Sequence, residues 1–350
     1  MKINIVHKFE DIPNSNLLSE KIPVFATPNY ADYLKETKNQ DTFWFTNVEN
    51  DSPTFLIPFV INKKIIFRKG YFITGVVSLN SDNSIEKEAE FLEDVVSYIK
   101  ESKICDWIQQ GPNWALFNTF PTGSKAVEFG TYKILLKDRS ETELYSSIKK
   151  NCRQDINRVQ RGMINIRKGI DYLDDCLKVI NRTAKIANLQ LLNTKDVKKL
   201  YFYFKDKLMI SVSYLENTPQ TGAIFLGNEY CTYALYAGSI NKAFRGANAY
   251  LDWEAIRESK KNNSIYFDFV GARVNPIPGS KQERIQNYKR HFGCEFVRGY
   301  LWKIVISKWK FHFYNMLIKI YFLISNKKIK KDIIDQELEN RINEDIHTDD

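Results

Sequence analysis

Cysteine and histidine are scarce in this sequence of 350 residues, and they form no recognisable metal or disulfide motif. The five cysteines are scattered and include no Cys-x-x-Cys pair: Cys105, Cys152, Cys176, Cys231 and Cys294. This pattern argues against a disulfide framework and a zinc site, and it is typical of a protein in a reducing cytoplasm. Cys294 lies close to His291. Such a neighbouring pair is usually structural, so we predict neither a metal site nor thiol chemistry.

Long apolar runs are also absent. The first residues, MKINIVHKFEDIP, are interrupted by His7, Lys8, Glu10 and Asp11, which argues against a signal peptide. No segment reaches the roughly 20 clean apolar residues that a membrane-spanning helix needs. We therefore expect a cytoplasmic protein.

The composition is that of a folded protein with a positive surface. Hydrophobic residues make up 43% and aromatic residues 14% of the chain, and the formal charge is +9. At roughly 100–200 residues per domain, the length predicts two domains. The charge favours anionic partners such as phosphates, nucleic acid or a lipid surface. A lysine-rich solubilising surface would give the same charge.

The first part of the chain reads as mixed α/β. Short β-branched or aromatic runs predict strands at 54–61, 71–77, 104–108 and 131–136, and helical spacing predicts a helix over 85–99.

Hydrophobic periodicity after residue 138 predicts a more distinctive order. A basic helix at 141–161 is followed by elements at 164–167 (strand), 172–187 and 197–208 (helices), 209–215, 221–226 and 230–237 (strands), 248–261 (helix), 265–270 (strand), 282–292 (helix) and 295–306 (strand). After the basic helix, this β-α-α-β-β-β-α-β-α-β order resembles the GNAT acyltransferase fold.

Three segments narrow the resemblance. They are Leu144 to Gly162, Leu251 to Arg257, and Tyr266 to Gly293, which contains Tyr266-Phe-Asp268-Phe-Val-Gly271 and Tyr288-Lys289-Arg290-His-Phe292-Gly293. Together they resemble the Fem family of peptidoglycan-bridge aminoacyltransferases and related GNAT-fold N-acyltransferases, over roughly Tyr132 to Phe296.

The resemblance implies an α/β fold of α+β type with mixed sheets, in which two GNAT-like acyl-CoA N-acyltransferase domains lie in tandem. We expect the first domain at 1–138 and the catalytic domain at 139–306. A helix over 307–326 is a candidate to complete the first domain, and we expect a mobile tail at 327–350.

The resemblance also names a catalytic candidate. Lys289 matches the lysine of the family's Phe-Lys-x-x-Phe-Gly pattern, with Tyr288 in place of Phe. A fixed ammonium can stabilise the negative charge that develops on a carbonyl oxygen during aminolysis, or it can clamp an acceptor phosphate. An electrostatic role predicts that loss of Lys289 lowers activity but leaves the melting temperature close to that of the wild type. The second catalytic candidate, Asp268, is either a base for the acceptor amine or, as we favour, a structural partner of Arg273 or Lys289.

In the GNAT fold the acyl donor passes between the fourth and fifth strands, here 230–237 and 265–270, and the following helix points its N-terminal amides at donor phosphates. The predicted donor-binding residues are therefore Lys242, Arg245, Gly246 and Ala247. Their glycine spacing departs from that of the usual CoA-binding loop, because Gly246 directly follows Arg245.

Arginines supply the remaining site candidates. Arg153, Arg273 and Arg290 are predicted to bind the acceptor or a phosphate. The basic helix carries Lys149, Lys150, Arg153, Arg158 and Arg161 against the single acid Asp155, which suits tRNA or a nucleotide-linked acceptor. A solvated basic face is the commoner explanation of such a charge run.

The segment from Trp309 to Ile324 has one apolar helical face and is flanked by lysines, including Lys308, Lys327, Lys328, Lys330 and Lys331. This pattern predicts an interfacial helix, so that an anionic membrane surface on the inner face of the cell membrane is a candidate partner through 309–331. A helix docked on the first domain fits the pattern equally well.

We expect acyl or aminoacyl transfer to an amine of a cell-envelope precursor, from peptidoglycan or surface-polysaccharide synthesis. Aminoacyl-tRNA or acyl-CoA would be a co-substrate, and we expect no tightly bound cofactor. One alternative is a CoA-dependent N-acyltransferase that acts on a nucleotide-linked amino sugar. The other is a non-catalytic module that binds tRNA or lipid.

Overall fold

A computed structural model describes residues 2–18, 21–49, 52–80, 84–162, 164–325 and 331–348. The chain divides into two compact units, each assembled from separate segments. The first unit comprises Met1–Leu18, Leu34–Gly130 and Arg298–Asp350, and the second comprises Ser19–Tyr33 and Thr131–Val297.

The elements follow in chain order. The strands are β1 (Ile3–Val6), β2 (Asp41–Glu49), β3 (Ser52–Lys64), β4 (Phe67–Phe72), β5 (Val77–Ser78), β6 (Trp107–Ile108), β7 (Lys125–Leu135), β8 (Ile164–Lys168), β9 (Leu208–Leu215), β10 (Thr218–Gly227), β11 (Cys231–Ser239), β12 (Tyr266–Asp268), β13 (Ala272–Arg273) and β14 (Glu295–Val305). The helices are α1 (Pro28–Lys38), α2 (Ile85–Glu101), α3 (Glu141–Ser147), α4 (Lys150–Gln160), α5 (Leu173–Ile186), α6 (Thr194–Phe204), α7 (Ala247–Lys261), α8 (Lys281–Arg290), α9 (Lys308–Ile324) and α10 (Ile333–Thr348).

In the first unit the strand order is β1-β2-β3-β4-β6-β14. The β4–β6 pair is parallel and the other neighbours along this path are antiparallel. Helix α2 covers this sheet, because Phe91, Leu92, Val95, Val96 and Ile99 repeat at helical spacing and are all fully buried. A capping Ser84 accepts a hydrogen bond from the amide of Lys87 and fixes the start of α2.

In the second unit the strand order is β7-β12-β11-β10-β9-β8. The β11–β12 pair is parallel and the other neighbours are antiparallel. The elements from β8 to β14 follow the predicted GNAT order, with the two-residue strand β13 as an addition. The core of this unit packs α7 and α4 against the sheet around Ile156, Trp253 and Phe267.

The predicted basic helix at 141–161 is two helices. The chain is extended at Ile148 and Lys149, between α3 and α4. Ile148 is buried, and the amide of Lys149 donates to the carbonyl oxygen of His291 at 2.8 Å. These contacts replace the hydrogen bonds that would continue one helix, a tertiary effect that periodicity does not reveal.

The unit boundaries differ from the predicted domain boundaries of 138/139 and 306. The chain passes between the units at Gly130–Thr131, within β7, and at Val297–Arg298, within β14. The segment 19–33 belongs to the second unit, because Asn228 donates to the carbonyl oxygen of Ile22 and the ring of Phe25 lies against Tyr233.

The C-terminal segment also differs from the prediction of a mobile tail at 327–350. Helix α10 begins at Ile333, and Ile334 is fully buried beside Val127, Phe129 and Leu301. The predicted flanking lysines Lys327, Lys328 and Lys330 lie outside the described residues. No helix in the described ranges is both long and apolar enough to cross a membrane.

Candidate functional site

The parallel strands β11 and β12 part within the second unit. They pair over only three positions, of which the last is Tyr233 opposite Asp268, and β11 then continues to Ser239. Residues 234–239 pair with β10 on one side, whereas the described chain offers no strand to their other edge. A β-bulge at Leu235 adds local twist, since Ile224 pairs with Tyr236 and Phe225 with Ala234. The opening lies between the predicted donor-side strands.

A strained turn ends β12 at this opening. Val270 has φ +40° and Gly271 has φ +61°. A β-branched residue in the left-handed region is a genuine outlier, so the surroundings must hold it there. The turn directs the carbonyl groups of Val270 and Gly271 toward helix α8.

Lys289 of α8 binds both carbonyl groups. Its Nζ donates to the oxygen of Val270 at 2.6 Å and to that of Gly271 at 2.8 Å, and the residue is only 8% exposed. Burial lowers the pKa of Lys289 to about 8, although Asp268, Cys294 and Asp252 each act to raise it. An ammonium group has three N–H donors, and these two bonds use two of them.

Asp268 holds the same turn from the other side. Its carboxylate accepts hydrogen bonds from the hydroxyl of Thr131 and, at 2.8 Å, from the amide of Val270, and Lys133 lies 3.8 Å away. Burial raises the pKa of Asp268, while Lys133 and Thr131 oppose the rise. The ion-pair partner is therefore Lys133, rather than the Arg273 or Lys289 that the sequence suggested. One carboxylate oxygen accepts both hydrogen bonds and the other lies 3.8 Å from Lys133, so in this geometry the contacts of Asp268 position the turn.

A second carboxylate near Lys289 was not predicted. Asp252 of α7 accepts a hydrogen bond from the Tyr288 hydroxyl at 2.6 Å. Burial raises the pKa of Asp252 to about 7, against the lowering effects of that hydrogen bond and of Lys289. A carboxyl group that titrates near neutral pH can accept a proton from an amine. The sequence signal was an acid on the buried face of α7, which it shares with Ile256 and Ser259.

The predicted donor-binding residues lie at the start of α7. Gly246 has φ +96°, and a Cβ there would lie 2.6 Å from the carbonyl oxygen of Asp155. Arg245 pairs with the Asp155 carboxylate at 3.0 Å, and the side chain of Ala247 is buried with Val159. Lys242 is exposed in the preceding loop. Gly246 and Ala247 thus have a packing explanation, the close approach of α7 to α4.

The three predicted arginine ligands make different contacts. Arg153 of α4 donates to the carbonyl oxygen of Ser146 at 2.9 Å. Arg290 donates to the Tyr132 hydroxyl at 2.7 Å and lies over that ring. The backbone of Arg273 exchanges two hydrogen bonds with the buried side chain of Gln286.

The fold therefore brings Lys289 and Asp268 together at one turn, with Arg290 next to Lys289 on α8. The predicted donor-binding residues lie at the N-terminal end of α7, and Asp252 lies five residues further along this helix. That separation is roughly 8 Å along the helix axis, at 1.5 Å per residue.

Comparisons with known proteins bear on the fold. The sequence matches no protein-family model. No curated protein matches it by sequence. Among solved structures it is similar to a tandem GNAT protein from the clavulanic acid biosynthesis pathway (7% identity, 87% of this chain and 99% of that chain, TM-score 0.48) and to L-PGS from Bacillus licheniformis (13%, 81% and 93%, 0.47). With TM-scores below 0.5, these two likenesses add nothing to the assignment of the fold.

A stronger likeness is to the crystal structure of FemX. It covers 89% of this chain and 99% of that chain at 10% identity, with a TM-score of 0.66. Identity this low speaks for the fold alone. The predicted resemblance and fold class are confirmed: the protein has the α/β fold of FemX, and its second unit follows the GNAT order of elements.

Proposed function

We propose that the protein transfers an acyl or aminoacyl group to an amine. The observation that carries this proposal is the buried ammonium group of Lys289 at the strained turn where β11 and β12 part. A fixed positive charge of this kind is suited to a carbonyl oxygen that becomes negative in the transition state. The FemX-like fold supports the same reaction class.

In the proposed step, the acceptor amine attacks the carbonyl carbon of an activated ester or thioester. A C–N bond forms, the ammonium of Lys289 stabilises the resulting oxyanion, and the carboxylate of Asp252 accepts the proton that the amine loses. The C–O or C–S bond then breaks, and the leaving alkoxide or thiolate takes up the proton that Asp252 accepted. Asp268 and Thr131 fix the turn on which Lys289 is held.

For the donor we propose aminoacyl-tRNA. Close packing of Gly246 against Asp155 explains this glycine without a pyrophosphate ligand, and the loop lacks the glycine spacing of the usual CoA-binding loop. Asp155 of α4 pairs with both Arg158 and Arg245. The basic residues of this segment still outnumber its single acid, and Lys150 and Arg161 are exposed. Such a surface suits a polyanion with many phosphates.

For the acceptor we propose an amine of a cell-envelope precursor, from peptidoglycan or surface-polysaccharide synthesis. This part rests on the resemblance to the Fem family. The cation candidates for an anionic group of the acceptor are Arg273 and Arg290. Arg273 follows the turn at Gly271 by two residues, and Arg290 is next to Lys289 on α8. Arg290 is exposed, so its guanidinium can bind a phosphate while it keeps its contact with Tyr132.

A second candidate function is CoA-dependent N-acyl transfer to a nucleotide-linked amino sugar. The edge of β11 at 234–238, which pairs with no strand of the described chain, favours it, because backbone groups on a strand edge can pair with the amides of an extended chain.

Calorimetry of the purified protein with charged tRNA and with acetyl-CoA distinguishes the two donors. If tRNA is the donor, we expect binding that weakens steeply with salt, since each phosphate contact releases counterions. Changing Arg153, Arg158 and Arg161 to Gln should flatten the salt dependence by up to about three contacts.

The matched control changes three basic residues of α5 and α6, Lys185, Lys195 and Lys198, to Gln. It removes the same charge from other helices of the second unit and should leave the slope unchanged. Saturable micromolar binding of acetyl-CoA without salt-dependent tRNA binding would identify acyl-CoA, rather than aminoacyl-tRNA, as the donor. Absence of transfer from either donor to any envelope amine would favour the non-catalytic binding module.

A further inference from the structure

The first turns of helix α9 pack against other parts of the first unit. The ring of Phe311 lies against Trp107, and that of Tyr314 contacts both Trp107 and Phe67. Lys310 pairs with the buried carboxylate of Asp106 at 2.9 Å. These contacts fix the position of the first turns of the helix. For the N-terminal half of α9, these contacts agree with the expectation of a helix docked on the first domain.

Helix α9 also presents a large apolar surface along its length. No residue of the helix is buried. Its exposed large apolar side chains are Trp309, Phe313, Met316, Leu317, Ile320, Tyr321, Leu323 and Ile324. Leu323 and Ile324, at the C-terminal end of the helix, are 80% and 83% exposed. A contiguous apolar surface of this kind marks a site of interaction.

The charges around this surface indicate what covers it. From Lys308 to Lys331 the sequence contains seven lysines and no acidic residue. Lys308 and Lys319 have no acidic partner within 4 Å in the described ranges. An apolar helix face set among cations complements an anionic surface with an apolar interior.

A second copy of the chain fits less well. A symmetric dimer would place the same patch of both subunits face to face, and the lysines of the two patches would repel each other. A membrane span does not fit either, because α9 has 17 residues, roughly 26 Å at 1.5 Å per residue, and ends at Ser325.

We propose that α9 is a docking helix for an anionic lipid surface, in which the helix lies in the plane of the interface and the face formed by Leu317, Ile320 and Ile324 enters the acyl region. Lysines beside it contact the lipid phosphates. The contacts of Phe311, Tyr314 and Lys310 with the first unit anchor the protein to this helix. The proposal is independent of the proposed transfer reaction.

Co-sedimentation with vesicles tests the proposal. The full chain should bind vesicles of phosphatidylcholine mixed with phosphatidylglycerol, and bind vesicles of phosphatidylcholine alone at least about tenfold more weakly, since the charges supply part of the attraction. Leu323→Asn with Ile324→Asn should reduce binding to the mixed vesicles by about tenfold or more, because two apolar side chains no longer leave water.

The matched control is Ile65→Asn with Ile66→Asn. These residues are exposed apolar side chains of the same unit, in the turn between β3 and β4, and their loss should leave binding unchanged. Lys308→Gln with Lys319→Gln should lower binding to the mixed vesicles alone, which tests the charge contribution without changing an apolar side chain.

Three results would overturn the proposal. One is unchanged vesicle binding by the Leu323/Ile324 variant. Another is loss of a cooperative thermal transition in that variant, which would make the face part of the core. The third is a dimer in sedimentation velocity that the same substitutions dissociate, which would identify a second copy as the occupant.

Discussion

At Lys289 the same hydrogen bonds serve stability and the proposed chemistry. The ammonium binds two carbonyl groups of a strained turn, so its removal leaves both oxygens without this donor. An unsatisfied buried carbonyl group costs about 1–3 kcal/mol, partly offset here because the charge is no longer buried. The structure therefore revises the expectation of an unchanged melting temperature.

We predict that Lys289→Met lowers transfer by roughly 100-fold or more, the scale seen when an oxyanion stabiliser is removed. Thermal melts should show a modest decrease in melting temperature with one cooperative transition. Met keeps the length of the apolar stem, so a packing defect contributes little. Near-normal turnover in this variant would remove Lys289 from the mechanism.

The lowered pKa of Lys289 predicts a basic limb in the pH profile. If the ammonium form is required, kcat/KM should fall as pH rises through about 8, the pKa of Lys289. In Lys289→Arg the limb should move to higher pH, because a guanidinium stays protonated. A limb that stays in place would assign it to another group.

The same pKa affects stability with a definite sign. Between about pH 8 and the ordinary lysine pKa of 10.5, the unfolded chain binds more protons at this position than the folded chain. The contribution of Lys289 to the free energy of unfolding therefore rises with pH across this window.

Asp252 predicts an acid limb. A carboxylate base with a pKa of about 7 should make kcat/KM rise with pH through that value, and Asp252→Asn should lower transfer by roughly 100-fold. Tyr288→Phe is the diagnostic variant. The hydrogen bond from the Tyr288 hydroxyl lowers the pKa of Asp252, so loss of this bond should move the acid limb to higher pH. A profile that does not respond to Tyr288→Phe would contradict the assignment.

At the scale of elements, Gly246 governs how closely α7 approaches α4. Gly246→Ala should destabilise the protein by about 2–4 kcal/mol, because the new Cβ would meet the Asp155 carbonyl oxygen and the left-handed backbone would be strained. Gly162→Ala is the control, since φ is +100° there but nothing lies within 4 Å of the new Cβ. It should cost only about 1 kcal/mol. Equal losses in chemical denaturation would mean that the helix contact is not tight.

Much of the second unit could be predicted from the sequence, because its elements have clear periodicity. The buried stripe of α5 and the hairpins between β9, β10 and β11 are local signals. The predicted order of elements is correct although the predicted ends of some elements differ by a few residues. The break at Ile148 and Lys149 could not be predicted, since its cause is a hydrogen bond to His291 from a distant part of the chain.

The candidate site was predictable only in part. The motif around Lys289 identified the residue but not its contacts, which depend on the turn at Val270. Burial raises the pKa of Asp252 and the hydrogen bond from Tyr288 lowers it, and both effects arise from packing. Gly246 and Ala247 were predicted to bind the donor from their place before α7, with a glycine spacing that departs from the usual loop, and contacts with α4 account for both residues.

At the scale of the whole molecule, the chain returns at its C-terminus to complete the first unit. Ile334 fills the core beside Val127 and Leu301, and Lys303 pairs with Asp332 and Asp335. We predict that Ile334→Ala costs about 2–5 kcal/mol of unfolding free energy, the usual range for a buried isoleucine.

The control for this prediction is Glu339→Ala, which removes only the exposed ion pair with Lys331 and should cost less than about 1 kcal/mol. Both are measured by chemical denaturation. A loss at Ile334 no larger than that of the control would restore the expectation of a mobile tail. The sequence did not reveal this helix, since the contacts of Ile334 with Val127 and Phe129 join residues about 200 positions apart.

The state of the cysteines has a practical consequence for spectroscopy. Four of the five are buried and Cys294 is partly so, and burial raises the pKa of each thiol. Thiol-directed dyes react through the thiolate, so labelling of the native cysteines at neutral pH should be slow. A single cysteine introduced in place of the exposed Leu323 would accept a fluorescent or spin label selectively. It would report the depth of that position in a bilayer without a cysteine-free background.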